Sequence, residues 1–158
     1  MTDYHFVTDW RILAPIDDVF VALADSLRWP EWWHGVRRVE EITSGDETGL
    51  GNVRRYVFHA RLPYDLAFEM RTTRIEAPTV LEGEARGELA GTGRWRLEAA
   101  EDGTRVRYYW DVRTTQAWMN LLAPIARPLF AWNHDSVMRW GEEGLRRHLS
   151  VTPPQEHR

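Results

Sequence analysis

Residues 118 to 149 read WMNLLAPIARPLFAWNHDSVMRWGEEGLRRHL, the longest stretch of the chain with a helical pattern. At 3.6 residues per turn, one line along such a helix is formed by Leu122, Ala126, Leu129, Asn133, Val137, Trp140 and Gly144. The opposite side carries Asp135, Arg139, Glu142 and Arg146. The pattern therefore predicts a long helix whose apolar side packs on the rest of the domain. Asn133 interrupts that side, and a buried amide requires hydrogen-bond partners.

The composition restricts the classes of protein to which the chain can belong. Its 158 residues suit a single domain, and the 20 basic residues are scattered along the sequence. The net charge of -4 and the lack of a basic cluster argue against nucleic-acid binding. No cysteine is present, and no apolar run reaches the ~20 residues of a membrane-spanning helix. We therefore expect a cytoplasmic protein with no integral membrane association.

The chain before residue 118 alternates in a pattern typical of strands. Residues 4 to 13 alternate with a period of two, and Pro15 and Pro30 are suited to the first turns of two short helices. Further strands are predicted at about 36–43, 50–61, 65–76, 79–89, 92–99 and 104–114. The gaps between them are too short for crossover helices, which favours an antiparallel meander. The prolines at 124 and 128 are expected to kink or split the start of the long helix.

Two features favour a hollow between this sheet and the long helix. The inward positions of strand 79–89 include Gly83, Ala85 and Gly87, which leave space and permit bending of the sheet. The chain also contains nine tryptophans, whose rings can fill a core or line a cavity for an apolar ligand. Composition alone does not decide between these two uses.

The order of elements, with the segments APIDDVFVALADSLRWPEWW, GTGRWRLEAAEDGTRVRYYWDV and PLFAWNHDSVMRWGEEGLRRHL, resembles the START-like superfamily, also called SRPBCC. Within it, the chain is most similar to the polyketide cyclase/dehydrase-like family. The resemblance implies an α+β helix-grip fold, with a curved seven-stranded antiparallel sheet around a long C-terminal helix and two short helices after the first strand. It implies a ligand-binding domain over residues 1–150, and the tail 151–158 is expected to be disordered. Members bind lipids, sterols, hormones, polyketides or quinones, and some catalyse cyclisation or dehydration.

Strand parity and the helical wheel together give a set of candidate ligand-binding residues. These are Trp33, Tyr56, Phe58, Phe68, Met70, Leu81, Ala85, Trp95, Tyr108, Trp110, Leu122, Leu129, Asn133 and Val137. Asn133 either contacts the ligand or bonds to a neighbouring backbone group. For His134 we expect a capping or surface role, and His59 faces water unless a bulge turns its strand.

Three functions remain open from the sequence. The first is binding of a hydrophobic, ring-bearing small molecule of polyketide, lipid or quinone type. The second is a polyketide cyclase or dehydratase in which Asn133 or a tyrosine donates a hydrogen bond to a developing enolate. The third is a protein-interaction domain with a filled core. We expect no metal and no cofactor, because the usual metal-binding and phosphate-binding motifs are missing from the sequence. The sequence leaves a homodimer open, and it does not identify catalytic residues.

Overall fold

The computed structural model of the chain describes residues 2–150. The first half of the chain contains β1 (Thr2–Ile12), α1 (Ile16–Ala24), a 3₁₀ turn (Ser26–Arg28), α2 (Trp29–Trp32), β2 (Val36–Thr43), β3 (Val53–Phe58) and β4 (Leu66–Glu76). The second half contains β5 (Val80–Gly87), β6 (Leu89–Ala100), β7 (Gly103–Thr114), α3 (Ala117–Leu121) and α4 (Ala123–Ser150). The predicted tail 151–158 lies outside the described residues.

The seven strands form one antiparallel sheet in the order β1-β7-β6-β5-β4-β3-β2. Strands β2 to β7 pair consecutively, and β1 pairs with β7 along its whole length. The predicted fold class is thereby confirmed, because this is a curved antiparallel sheet with a long helix on one face. Short connections between strands make such a meander the simplest arrangement.

The two short N-terminal helices are held against the sheet by apolar side chains. In α1, Val19, Phe20 and Leu23 are buried, and Asp17 and Asp18 complement the positive end of the helix dipole. In α2, Trp29 and Trp32 are buried. These helices therefore bring a cluster of indole rings to one side of the core.

Helix α4 packs on the sheet with a buried side formed by Phe130, Asn133, Val137, Met138, Gly141 and Leu145. Leu145 is fully buried. The predicted split near the prolines is confirmed, because Leu122 separates α3 from α4.

The sequence-based choice of Leu122 and Leu129 for the buried side was wrong. These two side chains are 46% and 45% exposed. Leu122 lies in the turn between α3 and α4, outside both helices. At 100° per residue, Leu129 lies about 40° to one side of Asn133, whereas Val137 and Phe130 lie about 40° and 60° to the other side. The buried side is centred on the side of Val137 and Phe130, so Leu129 falls outside it.

Candidate ligand-binding site

A cavity of about 210 Å³ lies between the concave face of the sheet and α4. Of the predicted residues, the wall includes Trp33, Tyr56, Phe58, Phe68, Met70, Leu81, Trp95, Tyr108, Trp110, Asn133 and Val137. Aromatic rings make up much of this wall, and neighbouring rings are in contact. Trp95 and Tyr108 have ring centroids 4.0 Å apart, and Phe58 and Phe68 stack at 5.6 Å.

Three predicted residues are not on the wall. Leu122 and Leu129 are exposed, as described above. Ala85 is buried in the core and pairs with Met70 across the β4–β5 ladder. The longer Met70 side chain reaches the wall at this point, whereas the methyl group of Ala85 does not.

We infer that the mouth of the cavity is at the loop between β2 and β3, because Thr48 is the one exposed residue among the described residues of the wall, and Gly49 lies beside it. Next to them, the Thr72 hydroxyl donates to Asn52 Oδ1 at 2.8 Å. Ile75 and Leu81, which pair across β4 and β5, also line this end. Along β4 the wall then extends inward to Leu66 at the opposite end.

A charged and hydroxylated network forms one side of the wall. Arg54 Nη1 donates to Ser26 Oγ at 2.9 Å, and Ser26 Oγ bonds to the Tyr56 hydroxyl at 2.7 Å. Arg54 also pairs with Glu41 at 3.1 Å, so its charge is balanced. Burial raises the pKa of Tyr56, and the Ser26 hydrogen bond and the Arg54 charge oppose that effect. Tyr56 is thus a neutral phenol held in a fixed orientation by its partners.

Tyr108 presents a second phenol to the cavity. It lies opposite the inward-facing Gly93, where an added Cβ would overlap the Tyr108 hydroxyl. Glycine at this position therefore provides the room that the phenol occupies. Burial raises the pKa of Tyr108 well above its usual value, so the hydroxyl is a neutral hydrogen-bond donor at pH 7.

The end of the cavity away from the mouth is formed by β1 and the first turns of α4. Tyr4 and Phe6 face inward from β1, and Phe130 and His134 face them from α4. The imidazole of His134 stacks on Phe6 with centroids 4.1 Å apart and planes 13° apart. Tyr4 contacts Phe130 at 5.4 Å. We call these four residues the inner ring cluster.

His134 is buried, contrary to the capping or surface role that the sequence suggested. Its side chain is 11% exposed, and neither ring nitrogen has a hydrogen-bond partner among residues 2–150. Asp135 is 3.9 Å from Nδ1, too far for a hydrogen bond, and its carboxylate is 70% exposed. Burial lowers the pKa of His134 to about 4, so the imidazole is neutral at pH 7.

Asn133 and His59, the two polar residues for which the sequence left a role in the cavity open, form hydrogen bonds within the protein. Asn133 Oδ1 accepts hydrogen bonds from the backbone N–H groups of Arg61 at 2.7 Å and Leu62 at 3.1 Å. Only the amide nitrogen of Asn133 is then left for a ligand. His59 pairs with Asp65 at 2.7 Å and is not on the cavity wall.

Sequence reasoning missed several wall residues. Tyr4 and Phe6 share the inward parity of Trp10 in the first strand, so the alternating pattern contained a signal for them. Arg54 likewise shares the parity of Tyr56 and Phe58 in β3, whereas Ser26 had no such signal, because its hydrogen bond with Arg54 joins segments that are 28 residues apart.

With this geometry established, comparison with known proteins gives the family. A model of the family described as polyketide cyclase/dehydrase and lipid transport matches residues 4–149. The chain belongs to this family. The match spans nearly the whole domain, and the resemblance seen in the sequence is confirmed. None of the curated proteins searched matches the chain.

Solved structures of other proteins show the same fold. The ZhuI aromatase/cyclase from Streptomyces sp. R1128 superposes with a TM-score of 0.78 at 17% identity, covering 94% of each chain. A START superfamily protein from Mycobacterium smegmatis superposes at 0.71 and 10% identity, covering 92% of this chain and 98% of that one. The di-domain aromatase/cyclase StfQ of the steffimycin pathway gives 0.67 at 12% identity, with 94% and 52% covered. At these identities the likeness is one of fold.

Two features are absent from the described part of the chain. Within residues 2–150, no three or more His, Asp or Glu side chains are grouped as a metal ion would need. No helix in this part of the chain is long and apolar enough to cross a membrane.

Proposed function

We propose that this protein binds a hydrophobic, ring-bearing small molecule of polyketide, lipid or quinone type in the cavity between the sheet and α4. The observation that carries the proposal is the cavity itself, whose wall is mostly apolar, is rich in Phe, Tyr and Trp rings, and carries polar groups at several points. Such a wall offers flat apolar surfaces for rings, with hydroxyl groups placed to orient them. Membership of a family described by polyketide chemistry and lipid transport supports the same class of ligand.

The size of the cavity limits the ligand. An engineered apolar cavity of about 150 Å³ in another protein holds benzene. The cavity of about 210 Å³ therefore suits a ligand portion of one or two rings. A space of this size also argues against the alternative of an interaction domain with a filled core, because packed protein interiors leave few voids larger than a water molecule.

Equilibrium dialysis of the purified protein against one- and two-ring aromatic compounds tests this proposal. Leu81→Trp places a larger ring at the mouth and is expected to weaken binding at least tenfold. Ile42→Trp is the matched control, because Ile42 is 55% exposed on β2 and is not on the cavity wall. Failure of the wild-type protein to bind any compound of the panel, or equal binding by both variants, would refute the proposal.

A second candidate function is a cyclase or dehydratase acting in the same cavity. The observation that favours it is Tyr108, a neutral phenol within the cavity that can donate a hydrogen bond to a developing enolate. Asn133 offers only its amide nitrogen as a second donor, because its carbonyl oxygen is held by the loop at 61–62. The test is turnover of a poly-β-ketone mimic. Turnover by the wild-type protein and by Tyr109→Phe, with binding but no turnover by Tyr108→Phe, would support the enzyme. Binding without turnover by the wild-type protein would support a carrier.

The cellular location belongs to the same proposal. We place the protein in the cytoplasm, supported by a chain without cysteine, which suits a reducing compartment. Fractionation of the native host, with the protein detected by antibody, tests this placement. Recovery in the membrane or secreted fraction would contradict it.

A further inference from the structure

The inner ring cluster contains polar groups that the protein itself does not use. Tyr4 is 4% exposed, and its hydroxyl has no hydrogen-bond partner among residues 2–150. Both ring nitrogens of His134 also lack a hydrogen-bond partner within these residues. Buried polar groups in native proteins nearly always have partners, and an unpaired one costs free energy. Two such residues on the wall of one cavity therefore point to a partner that enters the cavity.

Their chemistry defines what that partner must offer. A neutral imidazole has one nitrogen that accepts a hydrogen bond and one that donates. Because burial keeps His134 neutral, its acceptor nitrogen needs a donor such as an O–H group. Burial also raises the pKa of Tyr4, against the opposing charge of Arg127, so its phenol remains a donor that needs an acceptor. A hydroxyl group on the ligand satisfies both requirements, because it donates and accepts.

The surroundings define the rest of the ligand. Phe6 lies beside both polar residues, at 4.1 Å from the His134 ring and 5.8 Å from the Tyr4 ring. Phe130 contacts Tyr4 from the helix side. Within residues 2–150 the nearest carboxylate to His134 with a recorded contact is Asp135, which is largely in solvent. The only other charge recorded against the cluster within residues 2–150 is that of the exposed Arg127, whose guanidinium lies over the Tyr4 ring at 4.9 Å. An aromatic cluster without a buried charge suits a neutral aromatic ring.

We propose that the inner ring cluster binds a hydroxylated aromatic ring, whose phenolic O–H donates to His134 and accepts from Tyr4. This rests on the proposed binding function and specifies the chemical class of its ligand. It also gives the ligand a direction, because β1, which carries Tyr4 and Phe6, is at the opposite edge of the sheet from β2 and the loop with the exposed Thr48. The hydroxylated ring enters first, and any apolar remainder lies against Trp95 and Tyr108 toward the mouth.

The test compares 2-naphthol with naphthalene, two ligands that differ by one hydroxyl group, by equilibrium dialysis at pH 7. The wild-type protein is expected to bind 2-naphthol about tenfold more tightly, the magnitude expected of one or two buried hydrogen bonds. His134→Phe is expected to abolish most of this preference, and Tyr4→Phe to reduce it. The readout is the ratio of the two affinities in each variant, because the ratio isolates the hydroxyl group from any change in ring packing.

Matched controls are available on the outer face of the sheet. His5→Phe repeats the histidine substitution at a position on β1 whose side chain is 72% exposed. Tyr109→Phe removes a hydroxyl from a tyrosine that contacts Arg94 outside the cavity. Both controls should retain the wild-type preference for 2-naphthol.

A measurement on the wild-type protein covers the case in which a variant fails to fold. With ¹⁵N-labelled histidine, addition of 2-naphthol should shift the His134 ring-nitrogen resonances strongly, and naphthalene should shift them much less. Three outcomes would overturn this proposal but not the proposed binding function. The wild-type protein could bind naphthalene as tightly as 2-naphthol, both variants could keep the preference for 2-naphthol, or the two compounds could shift the His134 resonances equally. If the wild-type protein binds neither compound nor any other ring of the panel, the proposed binding function fails as well.

Discussion

Replacing Asn133 with alanine should destabilise the protein through the loop that follows β3. The side-chain oxygen of Asn133 accepts from two backbone N–H groups, those of Arg61 and Leu62, at 2.7 and 3.1 Å. Alanine removes this acceptor and leaves both donors unpaired at the junction of loop and helix. Each buried donor without a partner costs roughly 1–3 kcal/mol. Water can reach the Arg61 side of the loop more easily, so we expect a total loss of about 2–4 kcal/mol in the free energy of unfolding.

Urea denaturation followed by circular dichroism measures this loss. For a domain of this length, a loss of about 3 kcal/mol lowers the melting temperature by roughly 10 °C. Ser136→Ala is the matched control, because Ser136 lies on the same helix and accepts only from the Arg61 side chain, at 3.1 Å. An exposed guanidinium can exchange that bond for water, so we expect a loss of less than about 1 kcal/mol.

Hydrogen exchange shows whether the loss arises at the loop. In the wild-type protein the amides of Arg61 and Leu62 should be protected, and in Asn133→Ala they should exchange much faster. Unchanged protection of these two amides, or a stability loss no larger than that of Ser136→Ala, would refute the assignment of Asn133 as the anchor of this loop.

Three further substitutions test other parts of the structure by urea denaturation. As the pH falls from 6.5 to 4, His134 is protonated in the unfolded chain but not in the folded chain, so the free energy of unfolding decreases by up to about 3 kcal/mol. His134→Phe should lose less stability over this pH range than the wild-type protein, and an equal loss in both proteins would contradict the burial effect. Gly144→Ala should cost about 3 kcal/mol, because its Cβ would overlap the Trp32 carbonyl oxygen; an unchanged midpoint would exclude that close approach. Tyr56→Phe should cost only about 1 kcal/mol, since Ser26 keeps its bond to the Arg54 guanidinium; a loss above about 3 kcal/mol would show a larger role for the phenol.

Local periodicity was sufficient to predict the order of the elements and the antiparallel meander, and the family resemblance supplied the helix-grip arrangement. The predicted strand 36–43 coincides with β2, and the other predicted strands overlap the observed ones. A period of two identifies a strand with one buried face whatever its partners are. For the same reason, the inward parity assigned to Trp110 and Tyr108 places both residues on the cavity wall.

The site was harder to predict, because it depends on contacts between distant segments. The amide of Asn133 in the apolar stripe was compatible with a ligand contact or a backbone partner, and the sequence could not identify that partner, because it is a loop 72 residues earlier in the chain. His134, one position further round the helix, was expected at the surface. It is buried because β1 brings Phe6 against that side of α4. A helical wheel gives the spacing of residues, but it does not give the width of the surface on which the helix packs.

The abundance of tryptophan raises the question of why the rings do not fill the space between sheet and helix. Part of the answer is that two indoles are fixed by their N–H groups. Trp33 Nε1 donates to the Val137 carbonyl at 2.8 Å, and Trp29 Nε1 donates to the Ala22 carbonyl at 3.2 Å. Moving either ring into the cavity would break a buried hydrogen bond, which opposes collapse. The rings thus form a supported wall, and the remaining space is available to a ligand that supplies further ring contacts.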